Sequence, residues 1–327
     1  MAEIQGGNTH VAGRRPFVAC CGTTGIDIAI LSRQEIKLWE KNNDILVKMS
    51  CGGMMRNIAE NLARLGVSAV LFSNVGDDLY GQKILQDSAD AGIDMSRVRI
   101  EEGCASNTFI SVDQPDGEML VGLGDALCSD RLGAAYFEEN MLLLQQASLL
   151  VLCPALPAEC LDFIARKLPH IPKLLDMNSA GLVENVRRRM AMVDILKVNK
   201  YEAQELTGIA LRQQPDLDMA AEAVFAMGVK QLYITLGDRG AYYRDTRGTR
   251  LFAAARPDLP VINTTGSGDS FTAGIAYGHM VGYAPPQSLE FAMACAEITL
   301  QSADTVNGEI TLQRVLAAVE SRREQAL

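Results

Sequence analysis

Residues 261–282 read VINTTGSGDSFTAGIAYGHMVG, and the rest of the chain is organised around them. Val261 and Ile262, a β-branched pair, read as the end of a strand. Asn263 to Asp269 form a turn rich in glycine and hydroxyls. Phe271 and Ile275, with Ala273, Gly274, Ala276 and Gly278, then read as a helix packed close to its neighbours. A Gly-rich turn that opens a helix is an anion site. The first N–H groups lack intrahelical partners, and the helix dipole favours negative charge there. Glycine lets backbone approach a phosphate.

An acid at such a place needs a reason. Asp269 would repel a bound phosphate unless a hydroxyl bridges them. A hydroxyl about to be phosphorylated does so: the carboxylate accepts its proton while the amides hold the transferring group. Alone, Asp269 reads as a helix cap with an acidic first turn. The whole heptad after a strand reads as catalytic. Two other phosphate loops do not fit. A Walker A loop requires Lys where this chain has Asp269, and Phe271 occupies the last glycine position of a dinucleotide fingerprint.

Asn-Thr-Thr-Gly-Ser-Gly-Asp resembles the C-terminal signature of the PfkB carbohydrate kinase family, the ribokinase-like kinases. Gly266, Gly268 and Asp269 match, whereas Asn263 and Ser267 stand where the family usually has Asp and Ala. The stretch from Gly52-Gly53 through Asn57, Ala59, Leu62, Leu65 and Gly66 resembles the N-terminal signature, followed in order by Gly76, Asp77 and Gly81. Two signatures about two hundred residues apart, in the right order, are a specific match. The resemblance implies Asp269 as general base and the backbone of Gly266, Ser267 and Gly268 as the oxyanion cradle.

The 327 residues allow one large α/β domain or two ordinary ones, and 48% hydrophobic content supports a sizeable core. A net charge of −10 argues against nucleic acid and anionic membranes as partners. No apolar run is long enough to span a bilayer, and no secretory signal is visible, so a cytoplasmic location is expected. Eight cysteines occur without a CxxC pair, which reads as buried free thiols.

Residues 1–15 read as a loose extension, and 16–327 as the kinase domain. Phe17–Cys20 is a first core strand ending in a turn with Asp27 at its mouth. In open α/β sheets ligands gather at the carboxyl ends of strands. Asp27 alone reads as a turn former. The resemblance makes it a ligand of substrate hydroxyls, together with Gly52, Gly53 and Asn57. Family members often carry Asn two positions before that Asp, where Gly25 stands here.

Asp116-Gly117 is a hairpin signal between apolar segments. By resemblance these strands join the earlier ones as a small β lid, inserted from about 28–51 and 104–128, with Asn107 and Thr108 inside it. Both also read as ordinary exposed strand polarity. From residue 129 helix and strand alternate: helices over 131–147, 157–168, 182–190 and 218–227, with strands at 149–152, 173–176, 194–198 and 231–235. That rhythm predicts a three-layer α/β/α sandwich with a mostly parallel sheet.

Asn199 and Glu202 read as a capping box. The resemblance adds a role in organising Mg²⁺ through water near ATP. It also places Thr235, Gly237, Gly240 and Thr265 near the nucleotide phosphates, and the helix from about Ser288 to Leu300 beside the adenine. Gly237 and Gly240 read equally as a turn into a hairpin strand. Many family members bind K⁺ beside the anion turn. Asn263 keeps an oxygen donor but lacks the charge of Asp, which weakens that expectation here.

Arg56–Ala59, Asn107-Thr108 and Gly117–Leu120 resemble the family branch that phosphorylates pseudouridine at its ribose 5′-hydroxyl. The expected alternatives are another nucleoside or a free sugar such as ribose or fructose, a non-catalytic sensor on the same fold, and, more distantly, a nucleotide-dependent oxidoreductase. Bare lid edges invite pairing, so a homodimer through the lid is expected.

Overall fold

The computed structural model describes residues 15–115 and 119–325. Most of the expected extension and the Asp116-Gly117 turn lie outside the described residues.

A nine-stranded sheet forms the centre. Strand β1 (Phe17–Cys21) leads through β2 (Gly25–Ser32), β3 (Ile45–Gly52) and helix α1 (Met54–Arg64) to β4 (Ser68–Gly76). Helix α2 (Leu79–Asp90) and β5 (Val98–Glu101) follow, then β6 (Thr108–Asp113) and β7 (Met119–Asp125). Next come α3 (Ala134–Glu139), α4 (Met141–Leu144), β8 (Leu149–Leu152), α5 (Ala158–Lys167), β9 (Lys173–Asp176), α6 (Val183–Arg187) and β10 (Ile195–Asn199). The chain continues with α7 (Lys200–Thr207), α8 (Gln214–Ala226), β11 (Gln231–Thr235), β12 (Ala241–Asp245) and β13 (Arg250–Ala253), and ends in α9 (Ser267–Val281), α10 (Pro285–Leu300) and α11 (Leu312–Gln325).

The sheet order is β13-β12-β11-β10-β9-β8-β1-β4-β5, parallel except at the β12–β13 edge. From β1 the chain winds first toward β4 and β5, then resumes on the other side at β8. The switch point therefore lies between β1 and β8, where an open α/β sheet offers its crevice. Alternating strand residues feed two cores. Phe17, Ala19 and Cys21 face the α3–α8 layer, whereas Val18 and Cys20 face α1, α9 and α10. Burial on both faces explains why these strands read as continuous apolar runs.

Helices α9 and α10 approach closely because small residues line α9. A Cβ on Gly274 would fall 2.6 Å from the Ala292 backbone, and one on Gly278 would fall 2.5 Å from the Ser288 hydroxyl. All eight cysteines are buried and unpaired. Among the described residues no helix is long and apolar enough to cross a membrane.

A separate four-stranded sheet, β3-β2-β6-β7, contains the two segments expected to pair. Its β2–β6 pair is parallel and the outer pairs are antiparallel. Its faces differ. Ile28 and Ile30 align with Met49 and Val47 on β3 and with Ile110 and Val112 on β6, and these with Leu123 and Val121 on β7. The opposite face carries Asp27 and Ala29, aligned with Ser50 and Lys48, then Phe109 and Ser111, then Gly124 and Gly122. The apolar face meets α2 near its base, through Ile26, Ile84 and Tyr80.

Four local expectations are corrected. Val261 and Ile262 are not in a strand: both are largely exposed in a loop, tied down by their chain neighbours' contacts to the end of α10, where Ile262 N–H donates to Leu300 O at 2.8 Å. Pro257 and Pro260 cannot donate to a ladder, which opposes extension of the sheet edge. The helix expected over 131–147 breaks at Asn140, whose side-chain amide donates to Tyr136 O at 2.8 Å and draws off a helical acceptor. The helical run expected over 182–190 shortens to α6. Asp27 also lies inside β2 rather than in a turn, because the chain leaves β1 through Gly22–Thr24 and enters the small sheet at once.

Candidate active site

The anion turn is built by local hydrogen bonds. Asn263 Oδ1 accepts from Thr265 N–H at 2.9 Å, an Asx turn, and its amide donates to Ala303 O at 3.3 Å. Ser267 Oγ donates to Thr264 O at 2.7 Å. Gly266 caps α9 with φ +79°, and a Cβ there would fall 1.9 Å from Thr305 O. No other residue fits both demands. Gly266, Ser267, Gly268 and Asp269 thus lie at the N-terminal end of a 15-residue helix, whose dipole favours an anion, with the Ser267 N–H only loosely engaged by Thr264 O at 3.4 Å.

Asp269 is half-buried, and its Oδ2 accepts from Asn57 Nδ2 at 2.9 Å. This bond joins the two sequence signatures, 212 residues apart. Burial pushes the Asp269 carboxyl up, and nearby Asp176 and Asp27 push it further, against Asn57 and Lys197; the result is about 7. A carboxylate tuned there takes a proton well near neutrality.

Beneath the turn lies a buried ion pair that the sequence reading did not single out. Lys197 Nζ contacts Asp176 Oδ1 at 2.9 Å, and Thr272 Oγ donates to Asp176 Oδ2 at 2.6 Å. A Cβ on Gly268 would fall 3.0 Å from Lys197 Nζ, so glycine leaves room for the ammonium directly under the turn. Burial alone would push Lys197 down, but Asp176, Glu202 and Asp269 together raise it above the usual lysine range. Its charge is therefore fixed. The available signal was a charged residue inside each of two buried core strands, Asp176 closing β9 and Lys197 in the middle of β10.

On the other side of Asp269 stands the small sheet. A Cβ on Gly52 would fall 2.1 Å from Asp27 Oδ2, so the glycine makes space for that carboxylate. Gly53 has φ +90°, and a Cβ there would fall 2.5 Å from the Thr24 backbone. Burial raises the Asp27 carboxyl above its usual range, partly offset by Arg56. Asn107 is buried and spends its side chain on the protein. Its amide donates to Thr24 O at 2.8 Å and Ser129 Oγ at 2.6 Å, and its Oδ1 accepts from Ser129 N–H at 3.2 Å. It pins the root of the small sheet to the main body. Thr108 Oγ donates to Ser106 O at 3.2 Å.

Asn199 and Glu202 form the expected capping box at the start of α7. Both Glu202 oxygens are engaged, Oε2 by Asn199 N–H at 2.7 Å and Oε1 by Asn199 Nδ2 at 2.8 Å. Burial raises the Glu202 carboxyl despite Lys197 and the Asn199 N–H. Thr235 ends β11, aligned with Asn199. Gly237 and Gly240 flank a short turn into β12. A Cβ on Gly240 would fall 2.0 Å from Ala253 O, so strand packing requires this glycine. Thr265 is exposed on the rim of the anion turn.

Among the described residues no three acidic, His or Cys side chains converge on a metal cage. One buried carboxylate with spare lone pairs still suits Mg²⁺, which keeps waters and takes much of its shell from phosphate. Glu202 would hold such an ion through water, and the ion would neutralise phosphate charge.

A carboxylate raised to about 7, set at a helix N-terminus with the Asp27 carboxylate nearby, suits phosphoryl transfer to an alcohol acceptor. The chain belongs to the pfkB family of carbohydrate kinases, which it matches over residues 15–312. It is 32% identical over 307 residues to the pseudouridine kinase of Escherichia coli (strain K12), covering 94% of this chain and 97% of that one. In fold it is similar to Arabidopsis thaliana ribokinase complexed with ribose and ATP, with TM-score 0.82, 21% identity and coverage of 94% of this chain and 99% of that one. It is also similar to Burkholderia thailandensis nucleoside kinase in complex with inosine, with TM-score 0.75, 20% identity and coverage of 93% and 96%. Such kinases act on small sugars or nucleosides with ATP.

Proposed function

We propose that this enzyme transfers the γ-phosphoryl group of ATP to the ribose 5′-hydroxyl of pseudouridine. Asp27, Asn57 and the backbone at Gly52 and Gly53 hold the ribose. Asp269 removes the hydroxyl proton as the new O–P bond forms and the bond to the ADP oxygen breaks. The N–H groups of Gly266, Ser267 and Gly268 stabilise charge on the transferring group, with Lys197 as a fixed cation behind them. Asn199, Glu202, Thr235, Gly237 and Thr265 face the nucleotide and its Mg²⁺. Gly240 and Asn107 act through structure.

The 2.9 Å bond from Asn57 to Asp269 carries this reading, because it sets the base between the phosphate turn and the sugar-binding elements. The choice of pseudouridine rests on the 32% identical relative and on the residues quoted above from that branch. A coupled ADP assay with pseudouridine, uridine, ribose and fructose tests it. Pseudouridine should give the highest kcat/KM, and preference for a free sugar would overturn the assignment.

We further propose that two copies join through the small sheet. Val47 is 55% exposed and Leu123 57% exposed on its apolar face, and β3 and β7 are open edges. Light scattering should give twice the chain mass. Lys at both positions should give a monomer.

A further inference from the structure

The face of the small sheet that carries Asp27 also carries Phe109, the aromatic residue among its strands, whereas Leu31, Leu46 and Met119 share that face at its far end. The register sets Phe109 beside Asp27 on β2 and opposite Gly124 on β7. Its ring leans across β7. A Cβ on Gly122 would fall 3.0 Å from Phe109 Cζ, and one on Gly124 would fall 3.8 Å from Cδ2. Two glycines at alternate positions thus leave a shelf on which the ring rests, bounded at Gly122 by the Met119 thioether, 3.1 Å from the same Cβ position. Phe109 remains 43% exposed, although the other face of the sheet offers an apolar layer.

This face looks toward the chemistry. Asp27 is near enough to Asp269 to raise its carboxyl, whereas Ile26 and Ile28 on the opposite face pack toward α2. Adjacent strands lie about 4.8 Å apart, so a group attached to a ribose at Asp27 comes within reach of the neighbouring ring. Ribose alone has no flat surface to offer. A nucleoside carries a planar base, and bases stack on aromatic rings.

We infer that Phe109, seated on Gly122 and Gly124, is the platform that stacks the base of a nucleoside acceptor and sets preference for nucleosides over free sugars. The inference rests on the phosphotransfer reading above and adds a residue for recognising the base.

The test is steady-state kinetics with pseudouridine and uridine on Phe109→Ala, Phe109→Leu and Phe109→Tyr. Stacking on one aromatic residue is worth enough that Ala and Leu should each raise the nucleoside KM by about tenfold or more. kcat should change by less than about threefold, and Tyr should restore KM to within about twofold of the parent. Leu keeps apolar volume without a π-face, so Leu behaving like the parent would reduce Phe109 to packing and overturn the inference. An unchanged KM in Phe109→Ala would do the same. If the parent enzyme phosphorylates neither nucleoside, the reading of the acceptor itself is wrong, a separate and recognisable failure.

Discussion

The anion turn and the ion pair beneath it lie together at the head of α9 but are built in opposite ways. Residues 263–269 are contiguous, and their geometry comes from their own bonds: Asn263 to Thr265, Ser267 to Thr264, and a left-handed Gly266. The pair of Lys197 and Asp176 spans two strands, and Thr272 from α9 completes it. A turn made locally can be read from a string of letters. A charge made by neighbouring strands cannot, because Lys197 and Asp176 become partners only when β9 and β10 align.

Breaking the turn should cost most. Asp269→Asn removes the base and keeps the shape, so kcat should fall by about 10²–10⁴-fold while ATP still binds. Turnover assays and nucleotide titration check both parts. Near-normal turnover would remove Asp269 from the chemistry.

The pair should come next, with a different signature. Lys197→Met leaves Asp176 buried without its partner, which costs about 3–5 kcal/mol of stability. A Lys197→Met/Asp176→Asn double variant removes both charges. It should regain much of the melting temperature without regaining kcat. Recovery of both would make the pair purely structural.

The smallest effect should come from monovalent cations. Asn263 already spends its oxygen on Thr265 N–H and carries no charge, so replacing Na⁺ by K⁺ should change kcat by less than about threefold. Strong K⁺ activation would show that other oxygens around the turn suffice.

Most of the fold was legible. The βα rhythm after residue 129 and the two distant strand pairs gave a parallel sheet with a small second one, because strand and helix periods are local properties. Misreadings came where tertiary context overrode propensity. Val261 and Ile262 look like strand residues, but prolines precede them and the end of α10 holds them in a loop. Asn140 ended a helix through a bond to its own fourth predecessor. At the site, pattern singled out Asp269, Asn57, Asp27 and the glycines, and the fold brings Asn57 against Asp269. Gly240 and Asn107 fit the same pattern, yet β13 backbone and Ser129 explain them. Phe109 gave no signal, since its meaning depends on two glycines across a hairpin.

The pH dependence of kcat/KM tests the central claim most directly. In the proposed reaction Asp269 acts only when deprotonated, and burial with Asp176 and Asp27 holds its proton to about 7. Activity should therefore rise with unit slope through an apparent pKa near 7, and Lys197→Met, which removes an opposing positive charge, should move that limb to higher pH. A profile flat from about pH 5.5 to 8.5 in both proteins would contradict a proton-accepting Asp269 at the head of α9.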